Sequence, residues 1–277
     1  MKKKALDFIL QKKCRKSITI LTAYDFPAAE LLKECGVDIL LVGDSLGTNV
    51  LGYNSPTQVT MEDMLHHLKA VVRGAPGAFI LADMPFGAVR TDELAFTNAL
   101  RFIKAGADGV KMEGGNEIVP QVRFVVQRGI PVCAHIGFMP QTGGKPGVVG
   151  KILSEAKMLI DSALALEEAG AFMIVLELIP EKLAAEITRL VGIPTIGIGA
   201  GRFCDGQVQV FHDMLGLSPR IFRHVKDYAG GRRVFAQAIA QYIADVRSGE
   251  FPAPSNASSM PEDVFAQVKE WIKNRGG

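Results

Sequence analysis

A chain of 277 residues and 29.9 kDa exceeds the usual size of one domain. It suits an all-in-one α/β barrel, which commonly reaches about 250 residues. With 48% hydrophobic, 22% charged and 7% aromatic residues it can bury a sizeable core, which excludes a disordered or collagen-like chain. Lys and Arg total 31 against 29 Asp and Glu, a net charge of +2, and apart from short runs at Lys2 to Lys4 and Lys12 to Lys16 the basic residues are scattered, so no nucleic-acid surface is expected.

The opening MKKKALDFILQKK breaks its apolar run with Asp7 and then with lysines, and no stretch reaches the roughly 18 apolar residues that span a bilayer. A cytoplasmic protein without membrane contact is expected. Cys14, Cys35, Cys133 and Cys204 are far apart and show no CxxC spacing, so they read as reduced thiols, most of them buried.

From residue 18 to about 217, short β-branched runs alternate with segments of helical period, the pattern of successive βα units on a parallel sheet. Strands are predicted at 18–25, 38–45, 78–86, 109–114, 131–138, 172–180 and 194–201, with a weaker eighth within 207–217. ILLVG and MIVLELI are continuously apolar, as strands buried on both faces require. Helices are predicted from MEDMLHHLKAVVRG, TDELAFTNALRFIKAGA, SEAKMLIDSALALEEAGA and PEKLAAEITRLVG. Thr60 with Asp63, Thr91 with Glu93, and Pro180 before Glu181 supply start signals, and Gly74, Gly106 and Gly170 stop signals. Eight such repeats favour a closed (β/α)₈ barrel over an open doubly wound sheet. The reading is a single catalytic barrel over 1–250, a linker at 251–260 and an amphipathic C-terminal helix at 261–277 bearing Trp271. Whether that helix docks on its own barrel or on a neighbouring subunit stays open.

In such a barrel the site is built at the carboxyl ends of the strands. The polar residues there are Asp44 and Ser45 after strand 2, Asp83 on strand 3, Lys111 and Glu113 on strand 4, His135 on strand 5 and Glu177 on strand 6. One acidic residue after a strand is an ordinary helix cap. Three converging on one mouth are different, because two like charges about 4 Å apart cost roughly 4 kcal/mol at an effective dielectric near 20. Lys111 neutralises only part of a cluster of Asp44, Asp83 and Glu113. An oxygen-only set suits a hard divalent cation, magnesium before zinc, whose open positions a 2-oxo acid would complete. Such an ion stabilises an enolate by several kcal/mol. Glu177, inside the apolar IVLELIP, is the candidate base, its charged form disfavoured by apolar neighbours. Lys111 and Glu113, at i and i+2, share one side of their strand, where the ammonium can meet substrate or form a plain ion pair. His135 could orient substrate or shuttle a proton, or be a hydrogen-bonded core residue. GIGAG (197–201) lacks the full GxGxxG pattern and reads as a tight strand-to-helix turn, and His66 and His67 read as surface residues of an outer helix.

Taken in order, TAYD, LVGDSLG, LADMPF, KMEGG, PVCAHIGFMPQ, VLELIP and IGIGAG with its downstream DGQ resemble the ketopantoate hydroxymethyltransferase family, over about residues 5 to 250. The resemblance implies a (β/α)₈ barrel that uses Mg²⁺ and takes a hydroxymethyl group from 5,10-methylenetetrahydrofolate to 3-methyl-2-oxobutanoate, giving 2-dehydropantoate for pantothenate synthesis. It implies Asp44, Asp83 and Glu113 at the metal positions, Asp44, Ser45, Asp83 and Lys111 at the oxo-acid contacts, Glu177 as proton acceptor, and a homo-oligomer of ten subunits. Three stretches depart from the family's pattern: Gly52-Tyr53-Asn54-Ser55-Pro56-Thr57-Gln58, the run Gly143-Gly144-Lys145-Pro146 without a tyrosine, and Ile221-Phe222-Arg223-His224-Val225-Lys226. These bear on loop closure, folate contacts and substrate choice. Two rival readings are a magnesium-dependent lyase or mutase of the phosphoenolpyruvate mutase and isocitrate lyase type, and a non-catalytic barrel that binds or assembles. That group's lyases carry a Lys-Lys-Cys-Gly-His loop within the barrel, whereas the similar KKCRK here (12–16) precedes strand 1.

Overall fold

Short β-branched runs bounded by glycine, aspartate and proline become strands, and the helical-period segments between them wrap outside. A computed structural model describes residues 2–142, 147–219 and 222–275. Gly143, Gly144, Lys145, Pro146 and Ile221, singled out above, lie outside the described residues. In chain order the first elements are α1 (Ala5–Lys13), β1 (Ile18–Thr22), α2 (Phe26–Glu34), β2 (Ile39–Val42), the one-turn α3 (Leu46–Asn49), α4 (Met61–Gly74) and β3 (Phe79–Asp83). Next come α5 (Asp92–Lys104), β4 (Gly109–Glu113), α6 (Val119–Val126), β5 (Val132–Gly137), α7 (Leu153–Glu168), β6 (Met173–Glu177), α8 (Glu181–Leu190), β7 (Thr195–Ile198), β8 (Gly206–Gln209) and the short α9 (Phe211–Met214). The last two helices are α10 (Gly231–Ser248) and α11 (Glu262–Lys273).

All eight strands are parallel and close into one barrel in sequence order. Closure pairs Ile18 of β1 with Gly206 of β8, and a side chain at Gly206 would collide with the Ile18 carbonyl, so glycine is what lets these strands meet. The eighth strand thus starts just before the predicted window, and the later part of that window is α9. GIGAG turns directly into the segment leading to β8, with Gly199 and Gly201 at positive φ and no helix between the strands, which corrects the strand-to-helix expectation. The helix starts obey local chemistry. Thr60 and Asp63 form a reciprocal capping box on α4, while Thr91 alone caps α5 by accepting from the Leu94 amide.

Strand residues divide by parity into two buried clusters. Ile18, Ile20, Ile39, Leu41, Phe79, Leu81, Cys133, Met173, Val175 and Ile196 fill the barrel interior, whereas Leu40, Ile80, Val110, Val132, Ile174 and Leu176 pack outward beneath the helices. At the amino ends of the strands α1 inserts Phe8, fully buried, whose ring meets Phe79 edge-on at 5.0 Å. Lys12, from the KKCRK string, donates to the carbonyls of Thr188 and Ile193 and pairs with Asp205 at 3.0 Å, holding that same end. Two further expectations change. Cys14 and Cys35 are exposed and Cys204 is half-buried, leaving Cys133 as the one fully buried thiol. His67 is no simple surface residue, because its Nδ1 lies 2.6 Å from the Tyr24 carbonyl.

The chain divides into two compact units, Met1–Tyr228 and Ala229–Gly277. The first is the barrel; the second carries α10 and α11, with Tyr242 against Phe251 at 5.7 Å. Among the described residues no helix is long and apolar enough to cross a membrane.

Candidate active site

Strand parity carries the interior pattern to the carboxyl rim. Continuing from Phe79 and Leu81, the next inward position on β3 is Asp83; on β4 the inward positions include Lys111 and Glu113; on β5 His135 comes after Cys133; on β6 Glu177 comes after Met173 and Val175. Parallel register then sets neighbours, aligning Asp83 with Lys111, Glu113 with His135, and Gly137 with Glu177. Gly137 has φ +104°, and a β-carbon there would collide with the Glu177 carbonyl, so this close approach needs glycine.

The side chains meet as the register demands. Lys111 Nζ donates to both Asp83 carboxylate oxygens at 2.7 Å, with both residues buried. Asp44, two residues past β2, donates its backbone N–H to Asp83 Oδ2 at 3.4 Å. Ser45 Oγ lies 2.8 Å from the hydroxyl of buried Tyr24. His135 Nε2 is 3.3 Å from Glu177 Oε2 and 3.1 Å from the Phe138 carbonyl, and its Nδ1 is 3.6 Å from Glu113 Oε2. That Nδ1 is buried and makes no hydrogen bond. All seven residues singled out from sequence therefore stand on one rim.

Three contributors escaped the sequence reading. Gln141, in the turn after β5, donates its side-chain amide to Asp44 Oδ2 at 2.9 Å and to the Met84 carbonyl at 2.8 Å, while its backbone N–H reaches Glu113 Oε1 at 2.8 Å. One residue thereby ties the ends of β2, β3 and β4. Tyr24 is the second. Leu178 is the third: it sits directly after Glu177 with φ +49°, a left-handed conformation costing roughly 1–2 kcal/mol for a residue with a β-carbon. Its N–H bonds to the Ile198 carbonyl and its carbonyl accepts from Val149, both at 2.9 Å, which holds the turn and fixes how Glu177 leaves the strand. The proline-glutamine pair in PVCAHIGFMPQ was the only sequence signal for Gln141, and nothing local marked Leu178.

Three carboxylates, of Asp44, Asp83 and Glu113, act on the one ammonium of Lys111, and a fourth, of Glu177, lies against His135. Burial raises the proton affinity of Asp44, and the Asp83 charge adds to it, bringing its pKa up to about 7. Burial likewise lifts Glu113 above the ordinary carboxylate range, although His135 and Lys111 pull the other way. Burial opposes a charge on Lys111, but Asp83, Asp44 and Glu113 outweigh it and hold the ammonium charged. His135 obeys the same logic: burial and Lys111 disfavour the imidazolium, and Glu177 with Glu113 more than compensate. Negative charge is in excess, and hard oxygen donors of this kind fit a divalent cation such as magnesium. Among the described residues no three His, Cys, Asp or Glu side chains form a ready cage. Lys111 and Gln141 bind the carboxylates in this arrangement, and a cation of this type shares its sphere with water and substrate oxygens.

The family model described as ketopantoate hydroxymethyltransferase matches residues 2–254. A protein of Chloroflexus aurantiacus named 3-methyl-2-oxobutanoate hydroxymethyltransferase is 51% identical over 256 residues, 91% of each chain. One of the same name from Geobacillus sp. (strain WCH70) is 47% identical over 277 residues, covering 98% of this chain and 97% of that protein. Among solved structures, a phosphonopyruvate hydrolase complex with oxalate and Mg²⁺ superposes with a TM-score of 0.61 at 13% identity, over 98% of this chain and 96% of the other. A 2,3-dimethylmalate lyase of the phosphoenolpyruvate mutase and isocitrate lyase superfamily gives 0.59 at 15% identity, over 99% and 98%. At that identity these two likenesses concern the barrel fold.

Proposed function

The chain belongs to the ketopantoate hydroxymethyltransferase family, and from that membership we propose that it transfers a hydroxymethyl group from 5,10-methylenetetrahydrofolate to 3-methyl-2-oxobutanoate, giving 2-dehydropantoate in pantothenate biosynthesis. The observation that supports this most is the rim itself: Lys111 paired with Asp83, Asp44 bonded to Asp83 and, through Gln141, joined to Glu113, with Glu177 beside His135. Asp44, Asp83 and Glu113 would hold Mg²⁺. When bound, the ion supplies Lewis acidity toward the oxo acid's oxygens.

The chain's own residues do the rest. Lys111, kept charged by its neighbours, offers a fixed cation to the substrate carbonyl or carboxylate, and Ser45, backed by Tyr24, offers a hydroxyl donor. Glu177 takes the proton from the third carbon of the oxo acid, its carboxylate oriented by His135. The carbanion so formed bonds to the methylene carbon brought by the folate as one of that carbon's two C–N bonds breaks. Water replaces the second C–N bond and supplies the product's hydroxyl, and tetrahydrofolate leaves with its two nitrogens reprotonated, one proton coming from Glu177 and one from that water. Gln141 holds Asp44 and Glu113 in register while substrate enters.

The test is to incubate the enzyme with magnesium and 3-methyl-2-oxobutanoate deuterated at the third carbon, with and without methylenetetrahydrofolate, and to track exchange and product separately. Wild-type protein is expected to exchange in both cases and to form product only with the folate. Glu177→Gln is expected to lower exchange by roughly 10²- to 10⁴-fold, the usual worth of a positioned base, with oxo-acid binding near wild type. Exchange without product under any condition would point to a mutase- or lyase-like enzyme, and neither signal to a non-catalytic barrel. Undiminished exchange in Glu177→Gln would assign the base elsewhere. The family resemblance further implies assembly into a homo-oligomer of ten subunits.

A further inference from the structure

A cavity of about 540 Å³ opens on the rim next to the carboxylate cluster, its walls including Lys151, Leu178, Gly199, Phe222, Arg223 and His224. Its position is set by the strands. Leu178 is the residue after Glu177, and Gly199 is the residue after β7, with the Leu178 side chain lying over the Gly199 backbone. The 222–224 segment is tied to the end of β8 by Gln209, whose amide donates to the His224 carbonyl at 3.3 Å. His224 lies close enough to Glu177 to feel its charge. The cavity therefore begins where the base ends.

Its chemistry differs from that of the carboxylate cluster. The Phe222 and His224 rings stack with centroids 5.7 Å apart and planes 18° apart, and Phe222 is partly open to solvent, so a further flat ring can extend the stack. Lys151 and Arg223 are both exposed, and neither makes an ion pair among the described residues. A five-carbon oxo acid needs far less room, whereas roughly 300–1,000 Å³ is the range for larger organic molecules. An open aromatic stack, with two cations that make no ion pair among the described residues, suits a planar heteroaromatic ring joined to a carboxylate-bearing tail.

We propose that this cavity seats the folate donor, its fused ring along Phe222 and His224 and the carboxylates of its glutamate tail on Lys151 and Arg223. The assignment rests on the reading of the reaction given above and names the residues that grip its second substrate. It brings the one-carbon unit to the Glu177 side of the oxo acid. It also gives a role to one of the stretches that depart from the family's pattern, since Phe222, Arg223 and His224 lie within it.

The experiment titrates the full-length protein with tetrahydrofolate and, separately, with a tetrahydropterin lacking the benzoylglutamate tail, measuring each by calorimetry. The variants are the doubly charge-reversed Lys151→Glu/Arg223→Glu and Phe222→Ala, with deuterium exchange of the oxo acid measured in parallel without folate. Charge reversal is expected to weaken tetrahydrofolate at least tenfold while leaving the tail-less pterin within twofold, and Phe222→Ala to weaken both. If wild-type protein binds tetrahydrofolate and both variants bind it equally well, the cavity is not the folate seat. If either variant loses deuterium exchange, the cavity serves the oxo acid and the assignment fails. If wild-type protein binds no tetrahydrofolate at all, the donor itself is wrong, a result distinct from the other two.

Discussion

Lys111 is the residue on which the electrostatics of the rim turn. Its ammonium is buried and bonded to both oxygens of Asp83, and the negative charge of Asp44 and Glu113 adds to the field that keeps it charged. Removing one partner of a buried pair leaves the other charge uncompensated, at a cost of about 3–5 kcal/mol, whereas removing both can be nearly neutral. Lys111→Met is therefore expected to lose about 3–5 kcal/mol by chemical denaturation, and the double variant with Asp83→Asn to recover most of that loss. Additive losses in the double variant would show that the pair is not coupled. Part of this cluster was legible in sequence because period two along a strand puts residues i and i+2 on one face, which sets Lys111 and Glu113 on the same side of β4. Asp44 and Asp83 were legible as polar ends of apolar runs. Gln141 was not, since it sits in a turn whose path no periodicity sets, and its partners Asp44 and Met84 are far away in sequence.

At the scale of elements, the strands were legible because burial on both faces leaves continuous apolar runs, and α4 because its capping box is written in adjacent residues. What escaped was long-range. The MKKKALDFILQKK segment reads locally as a broken apolar run, yet it folds as α1 and drives Phe8 against Phe79 and Phe172, residues remote in the chain. The missing helix between β7 and β8 escaped for a related reason: GIGAG announces a turn, but its glycines carry no information about whether a helix or a strand lies beyond it. The α1 plug lies at the amino end of the barrel, where barrel residues contribute stability, and the chemistry occupies the other end. Phe8→Ala is expected to destabilise the protein by about 3–5 kcal/mol through lost burial and the cavity left behind. Differential scanning calorimetry would register this as a lowered melting temperature. Deuterium exchange of the oxo acid at 25 °C should stay near wild type, because no site residue moves. An unchanged melting temperature would mean that the ring contacts contribute nothing to closing that end.

At the scale of the molecule, the Ala229–Gly277 unit differs from the barrel in how it treats apolar side chains. The barrel buries them in two clusters, whereas on α10 Phe235, Ile239 and Tyr242 are each more than half exposed, at a spacing that forms one stripe along the helix. On α11 Trp271 and Ile272 are also more than half exposed. A stripe of exposed apolar side chains of this kind suits contact with another protein, and each large side chain covered contributes roughly 1.5–3 kcal/mol. The sequence shows the amphipathic period of these helices but not their partner, because a helix face reads the same whether its own chain or another covers it. A second copy is the partner that the implied homo-oligomer supplies. Size-exclusion chromatography with light scattering is therefore expected to give a mass that is a multiple of the 29.9 kDa chain. Phe235→Glu with Ile239→Glu should shift it toward the single-chain value by setting two carboxylates into the stripe. A wild-type protein eluting as one chain at all concentrations would overturn the assembly, and a double variant of unchanged mass would remove the α10 face from the contact.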